Sequence, residues 1–342
     1  MGYTKRDRIM AIAAGEAADR PPVSAWHHFL DVESNPEAFI NASVEFQKKF
    51  DWDMVKIHPR AIYFAEAMGN RYDYTNYTGP MPKCVHSVIE SAADLWNITR
   101  LPGDEGVLSE QLNVITRMRK ILGAEVPMIQ TLFSPLAVFI HMAGAKNIGR
   151  NKPANSEENP AICYLRNHPE GAHIALNAIT NTMADYVQRA LKAGADGFFY
   201  TPLGLAREGY LTLDEWNVFG RSYDLQVLEA ASNGFNVLHT CGMYGNPKRF
   251  ADYPIAVLHW AQSAPGNPAM VGSESWLGKM GVMGGIDECY FGANKPQSIT
   301  LQVAESCRQM QGRPFFLAPE CSVTPATPDV DLMLLRQAAE QC

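Results

Sequence analysis

The chain has no basic run and little charge of either sign. Charged residues make up 19% of its 342 positions, and the formal net charge is -7. Nucleic-acid binding draws on clustered Lys and Arg, and nothing of that kind is present. No apolar stretch reaches the roughly 18 residues of a membrane-spanning helix. The opening residues, Met1 to Arg8, carry charge but no apolar core of signal-peptide type. Position 6 is Arg, where a myristoylation signal needs Ser or Thr. Internal repeats and low-complexity tracts are also missing. The seven cysteines (84, 163, 241, 289, 307, 321 and 342) are odd in number and lack the spacing of a small disulfide scaffold. They read as reduced thiols, and the whole pattern reads as a cytoplasmic protein that binds neither membrane nor nucleic acid.

What is present is apolar and regularly spaced. Hydrophobic residues are 46% of the chain, enough for a large core. Short apolar runs alternate with longer amphipathic segments, the pattern of β-α units around a parallel sheet. Candidate strands fall at 22–26, 53–57, 126–133, 197–201, 236–240, 256–260, 281–286 and 314–318, the eight that a closed barrel needs. A helix at 5–14 precedes the first strand and is expected under the barrel. Helices are expected at 172–193, ending at Gly194, and at 296–311 and 328–341. Thr212 with Glu215 forms a capping box. The fold class is therefore α/β, a (β/α)8 TIM barrel with an N-terminal helical extension. One domain is expected over 1–342, with the helix inside 1–20 and a turn-rich excursion at 60–110 holding Tyr72, Tyr74 and Tyr77. The polar stretch 146–160 reads as a surface loop or a mobile lid.

The most informative motif is His239-Thr240-Cys241-Gly242, followed much later by Cys321. In a strand, residues two apart point to the same side, so His239 and Cys241 can converge on one ion. Cys321 ends a second apolar run of the same kind. One imidazole and two thiolates suit zinc, and three protein ligands leave a position open, as catalytic zinc sites do. The plainer reading is that a cysteine is often just a small buried hydrophobe. On the motif alone both stand.

Several segments resemble the uroporphyrinogen decarboxylase superfamily of (β/α)8 barrels. These are Thr4-Lys5-Arg6-Asp7-Arg8 through Asp19-Arg20-Pro21-Pro22-Val23, then Ala193-Gly194-Ala195-Asp196-Gly197, Gly284-Gly285-Ile286-Asp287, and Leu317-Ala318-Pro319-Glu320-Cys321 with Pro325-Ala326-Thr327-Pro328. Within that superfamily the H-x-C motif and the late Cys are similar to the zinc methyltransferases that act between methylcobamides and coenzyme M. The resemblance implies zinc held by His239, Cys241 and Cys321; separately, Glu274, Glu320 and Asp287 are candidates for a fourth ligand or for a carboxylate that orients His239. It implies methyl transfer between a corrinoid (cobamide) carrier and a thiol or a methylated or methoxylated small molecule. The D-x-H-x-x-G signature of corrinoid-binding domains is absent, so the corrinoid is expected on a partner protein or free.

The decarboxylase branch fits poorly. Its Arg-rich segment after strand one is replaced by Ala25-Trp26-His27-His28-Phe29, and its Asp after strand two by Val55-Lys56-Ile57-His58. Two other readings remain open: alkyl transfer to a thiol from a donor such as an epoxide, and a binding-only barrel with structural zinc. The expected substrate contacts are Trp26, His27, His28, His58, Tyr200, His259 and Trp260, from their places at strand ends, within an aromatic pocket that also includes Phe29, Tyr63 and Trp276. Each could equally be a satisfied residue of the barrel rim.

Overall fold

The computed structural model describes residues 2–144, 159–207 and 209–342. The 146–160 loop lies outside them but for Asn159 and Pro160, which open a helix. The strands are β1 (Val55–Ile57), β2 (Arg71–Thr78), β3 (Met81–His86), β4 (Met128–Phe133), β5 (Gly197–Thr201), β6 (Val237–Thr240), β7 (Val257–Trp260), β8 (Gly281–Ile286) and β9 (Phe315–Pro319). The helices are α1 (Lys5–Ala13), α2 (Pro36–Phe50), α3 (Tyr63–Ala67), α4 (Gly106–Leu122), α5 (Pro135–Met142), α6 (Pro160–Asn167), α7 (Pro169–Ala193), α8 (Leu213–Trp216), α9 (Ser222–Ala230), α10 (Glu274–Leu277), α11 (Pro296–Gln309) and α12 (Asp329–Ala339). Seven strands form one parallel sheet in the order β1-β4-β5-β6-β7-β8-β9, curled into a TIM-barrel-like α/β fold.

The inside and outside of that sheet have separate cores. Met54, Ile129, Phe199, Val237, Val257, Met283 and Phe316 meet in the barrel interior. Their alternates, among them Leu132, Phe198, Leu238 and Leu258, join the larger core between strands and helices. Both strand faces are thus buried, which is why these strands read as continuous apolar runs. α1 closes the lower end, because Ile9 and Ile12 belong to the interior core. Gly281 lets it come that close: a Cβ there would stand 2.8 Å from the Ile12 side chain.

The eighth position of the ring is not a regular strand. Residues 22–26 make a single bridge, Val23 to Leu317. Pro21 and Pro22 have no N–H to give a ladder. Closure depends instead on the fully buried Asp53 carboxylate, which accepts from the Val23 N–H (2.9 Å) and from Arg20 Nη1 (2.7 Å). The Asp53 N–H returns a bond to the Val23 carbonyl at 3.0 Å, and on the other side Leu317 donates to the Pro22 carbonyl at 2.9 Å. The segment therefore joins β9 to β1.

The excursion is more ordered than its composition suggested. β2 and β3 pair as an antiparallel hairpin with two register shifts, and Gly79, Pro80 and Met81 at its turn reach the barrel mouth. The expected reading of seven reduced thiols is corrected: Cys307 of α11 and Cys342 form a disulfide, Cα to Cα 5.7 Å. Sequence spacing does not reveal such a pairing. No helix among the described residues is long and apolar enough to cross a membrane.

Replacing Asp53 by Asn takes away the buried counter-charge of Arg20 and leaves it only the half-exposed carboxylate of Glu340. Such a loss costs about 3–5 kcal/mol. The urea midpoint of the Asp53→Asn variant should fall accordingly with an unchanged slope, and a midpoint like that of the parent would contradict this role.

Candidate metal centre

His239 is on the inward face of β6, in register with His259 of β7. Cys241 lies two residues on, so it faces the same way. Gly242 then turns the chain with φ +73. The turn is well held. Arg207 Nη2 donates to the Cys241 carbonyl at 3.2 Å and Asn267 Nδ2 to the Gly242 carbonyl at 2.9 Å. The Cys241 N–H reaches the carbonyl of Leu203 at 3.0 Å. Leu203, Tyr244 and Asn246 all adopt positive φ (57, 52 and 50), a cluster of backbone conformations that ordinary residues avoid and that gathers at functional sites.

Cys321 follows β9 and meets the other two. Its Sγ is 4.0 Å from Cys241 Sγ and 4.0 Å from His239 Nε2. All three donor atoms lie within 4.8 Å of one another. Tetrahedral zinc with Zn–S of about 2.3 Å and Zn–N of about 2.0–2.1 Å sets its donors about 3.6–3.8 Å apart. The two spacings from Cys321 need only a few tenths of an ångström of closure to fit that ion, and the third lies within 4.8 Å. His239 turns Nε2 to the thiols, its ring packs 5.3 Å from Phe199 and 4.6 Å from His259, and its buried Nδ1 has no hydrogen-bond partner.

The group opens into a cavity of about 430 Å³ at the C-terminal ends of the strands, the end where barrels carry their sites. Trp26, His28 and His58 line it, as does His141. The rings of His28 and His58 are 3.9 Å apart. Burial holds His28 down to about 3, helped by Lys56, and His141 to about 4; His58 lies well below the ordinary imidazole value for the same reason. These imidazoles are uncharged at neutral pH.

Other expected contacts are elsewhere. His27 points outward: its Nδ1 sits 3.0 Å from the His28 carbonyl and its ring packs on Phe29 and Phe46 beside α2. Tyr200 lies on the outer face of β5, where its hydroxyl donates to Asp224 beneath α9. Trp260 also faces outward and donates from Nε1 to the Pro268 carbonyl at 2.8 Å. His259 faces inward, but as packing under His239, with Nε2 3.1 Å from the Pro319 carbonyl. Of the aromatic residues expected around the pocket, Trp26 lines it; Tyr63 instead donates to the Thr131 carbonyl behind the sheet.

The carboxylates are corrected as well. Glu274 precedes β8, at the end of the barrel opposite Cys321, and pairs with Arg313. Asp287 caps the turn at Cys289, accepting from its N–H at 2.9 Å. Glu320 accepts from the Ser263 N–H at 3.1 Å. Sequence reasoning missed His141, at the end of α5, and Lys56. Lys56 is on the inward face of β1 between Met54 and His58, buried, with Nζ 4.4 Å from the Phe199 ring centre and 5.2 Å from that of Trp26. A lone lysine in an apolar strand, in phase with the inward residues, was the available signal.

Two measurements follow. Glu274→Ala should leave bound metal unchanged, and a drop in metal content would contradict its placement. The second concerns acid. His28 and His141 take up protons more readily unfolded than folded, so stability falls as pH drops below about 6.5, by about 1.4 kcal/mol per pH unit for each histidine. The loss levels off only below the folded values of about 3 and about 4. Between pH 6.5 and 5 the His141→Gln variant should lose about 2 kcal/mol less than the parent; an identical acid slope would contradict the assignment.

Comparison with known proteins agrees with the barrel. The family model for Uroporphyrinogen decarboxylase (URO-D) matches residues 4–342. A uroporphyrinogen decarboxylase from Drosophila virilis is 25% identical over 213 residues, 56% of this chain and 51% of that protein. One from Vibrio campbellii is 23% identical over 202 residues, 59% and 53% respectively. The chain thus spans about half the length of these relatives. Among solved structures, a methyltransferase from Methanosarcina mazei superposes with a TM-score of 0.80 at 19% identity, over 99% of both chains. A B12-independent methionine synthase from Shewanella sp. W3-18-1 gives 0.55 at 12%, over 94% and 93%. At such identities these two likenesses bear on fold alone. The match along nearly the whole chain carries the assignment: the protein belongs to the uroporphyrinogen decarboxylase (URO-D) family.

Proposed function

We propose that this protein is a zinc-dependent methyltransferase that moves a methyl group between a corrinoid and a thiol or a methylated or methoxylated small molecule. The observation that carries this reading is the convergence of Cys241 Sγ, Cys321 Sγ and His239 Nε2 on the wall of an open cavity, with Cys321 Sγ 4.0 Å from each of the other two and all three within 4.8 Å. Three donors facing a cavity match a catalytic zinc site, which keeps a position for substrate, better than a closed structural one. The named methyltransferase from Methanosarcina mazei has the same fold over its length, which is consistent with this reading.

Zinc in this donor set has a formal charge near zero and would hold a substrate thiol as a nucleophilic thiolate at neutral pH. The chain's own residues do the rest. Cys241, Cys321 and His239 fix where the reacting sulfur or oxygen sits. The buried rings of Trp26, Phe133 and Phe199 exclude water. The uncharged His28 and His58 can donate hydrogen bonds without adding charge. Among the described residues the cavity wall has no Arg and no carboxylate. That weighs against a substrate with several acidic groups, and so against porphyrinogen decarboxylation, despite the names of the curated relatives.

A corrinoid protein is the expected carrier. The cytoplasm is the expected compartment, since chemistry on two thiols needs them reduced. The Cys307–Cys342 disulfide involves neither of them.

The purified protein should contain about one zinc per chain and demethylate methylcobalamin in the presence of a thiol, followed by absorbance. Cys241→Ala or Cys321→Ala should weaken zinc by more than about 100-fold, the scale that loss of an outer-shell partner alone can reach, and abolish transfer with the circular dichroism unchanged. Full metal content and turnover in either variant would remove the zinc assignment. Alkyl transfer that proceeds without any corrinoid would replace the methyl donor in this reading.

A further inference from the structure

The β1 side of the cavity is basic, and no carboxylate among the described residues of the wall balances it. Lys56 is only 7% exposed. Two residues on, His58 faces the same way and meets His28 ring to ring. Nδ1 of His28 and Nδ1 of His58 are both buried without a hydrogen-bond partner. No Asp, Glu or Arg lines the cavity among the described residues.

Burying an ammonium group away from any carboxylate is costly. The rings of Trp26 and Phe199 offset part of that cost through their π faces. Burial accordingly draws the Lys56 proton affinity well below that of an ordinary lysine, with Cys321 pulling the other way. An anion in the cavity would supply the missing partner. Neutral imidazoles beside it can each offer an N–H to the same oxyanion.

The rest of the wall sets the shape of the ligand. Phe133, Leu203 and Val323 are apolar, and the cavity of about 430 Å³ is far larger than a short mercaptan needs. It is in the range that holds a ring-bearing molecule. One buried amine in a large apolar cavity, whose protonated form an adjacent anion would favour, selects one negative charge on an apolar body.

We infer that the compound whose methyl group is moved is a ring-bearing monoanion, in class a methoxylated aromatic carboxylate, with its carboxylate held by Lys56, His28 and His58. The identity of that compound as a methyl donor rests on the function proposed above; the anion subsite itself does not need the metal.

The test is calorimetric titration of the protein as purified, with 4-methoxybenzoate, 4-methoxybenzyl alcohol and acetate as probes. It is repeated after zinc is removed by a chelator. The acid should bind at least about tenfold more tightly than the alcohol, as a charge-assisted contact implies, and more tightly than acetate by a similar factor. Lys56→Met should abolish the gap between acid and alcohol, and Lys56→Arg should keep most of it. Four results would overturn the proposal: equal affinity for acid and alcohol, a gap that survives Lys56→Met, acetate binding as well as the aryl acid, or no binding of the aryl acid at all. If Lys56 serves only the Cys321 thiolate, Lys56→Met weakens zinc and leaves the gap unchanged, which is the second of these. A gap that persists after chelation sustains the anion subsite, whereas protein that holds no zinc as purified removes the methyl-transfer reading, so the two fail separately.

Discussion

Asp53 has no solvent exposure and is held by Arg20, Arg8 and the Val23 N–H at once. It sits immediately before β1, where the segment 22–26 must bridge to β9. Pro21 and Pro22 make a full ladder impossible there, so one carboxylate replaces it. The geometry of the cavity follows from that clasp. His28 comes just after the bridging segment, Lys56 and His58 stand on β1, and Cys321 ends β9. If the ring were open between β9 and β1, Cys321 would have no fixed distance to His239 and Cys241.

The same ring explains the electrostatics of the cavity. Interior positions alternate with exterior ones along each strand, and the lower interior layer is apolar, plugged from below by Ile9 and Ile12. Polar groups are confined to the upper layers. There the imidazoles are too buried to charge, and among the described residues Lys56 is the one amine of the wall. Two thiolates on zinc would cancel the metal's charge. A cavity so nearly neutral and so dry strengthens any single charge brought into it.

Much of this was legible because periodicity of two is a geometric rule. The His239-x-Cys241 spacing placed both donors on one face, and the strand ends placed them at the mouth. Gly194, at φ 113, ends α7 as its position suggested, and the Thr212–Glu215 capping box is formed. The same rule, applied strictly, would have separated other candidates. His259 and Trp260 are neighbours on β7, so only one of them can face inward; likewise, with Phe199 inside, Tyr200 must be outside. Lys56 shares the phase of Met54 and His58, yet a charged residue in a strand reads first as exposed.

Other features could not be read from local pattern. The hairpin of β2 and β3 depends on irregular pairing with two register shifts. The partner of Glu274 is Arg313, distant in sequence, and Cys307 finds Cys342 through the packing of α11 against α12. The bridging segment 22–26 had a strand's composition but lost its ladder to the side chain of Asp53.

What occupies the space between Cys241, Cys321 and His239 decides the chemistry of the cavity. Zinc K-edge X-ray absorption on the purified protein tests this directly. The predicted spectrum has two sulfur neighbours at about 2.3 Å, one imidazole nitrogen at about 2.0–2.1 Å and one light atom that a thiol replaces with a third sulfur. A first shell of oxygen and nitrogen alone, or a closed shell that added thiol does not change, would contradict it.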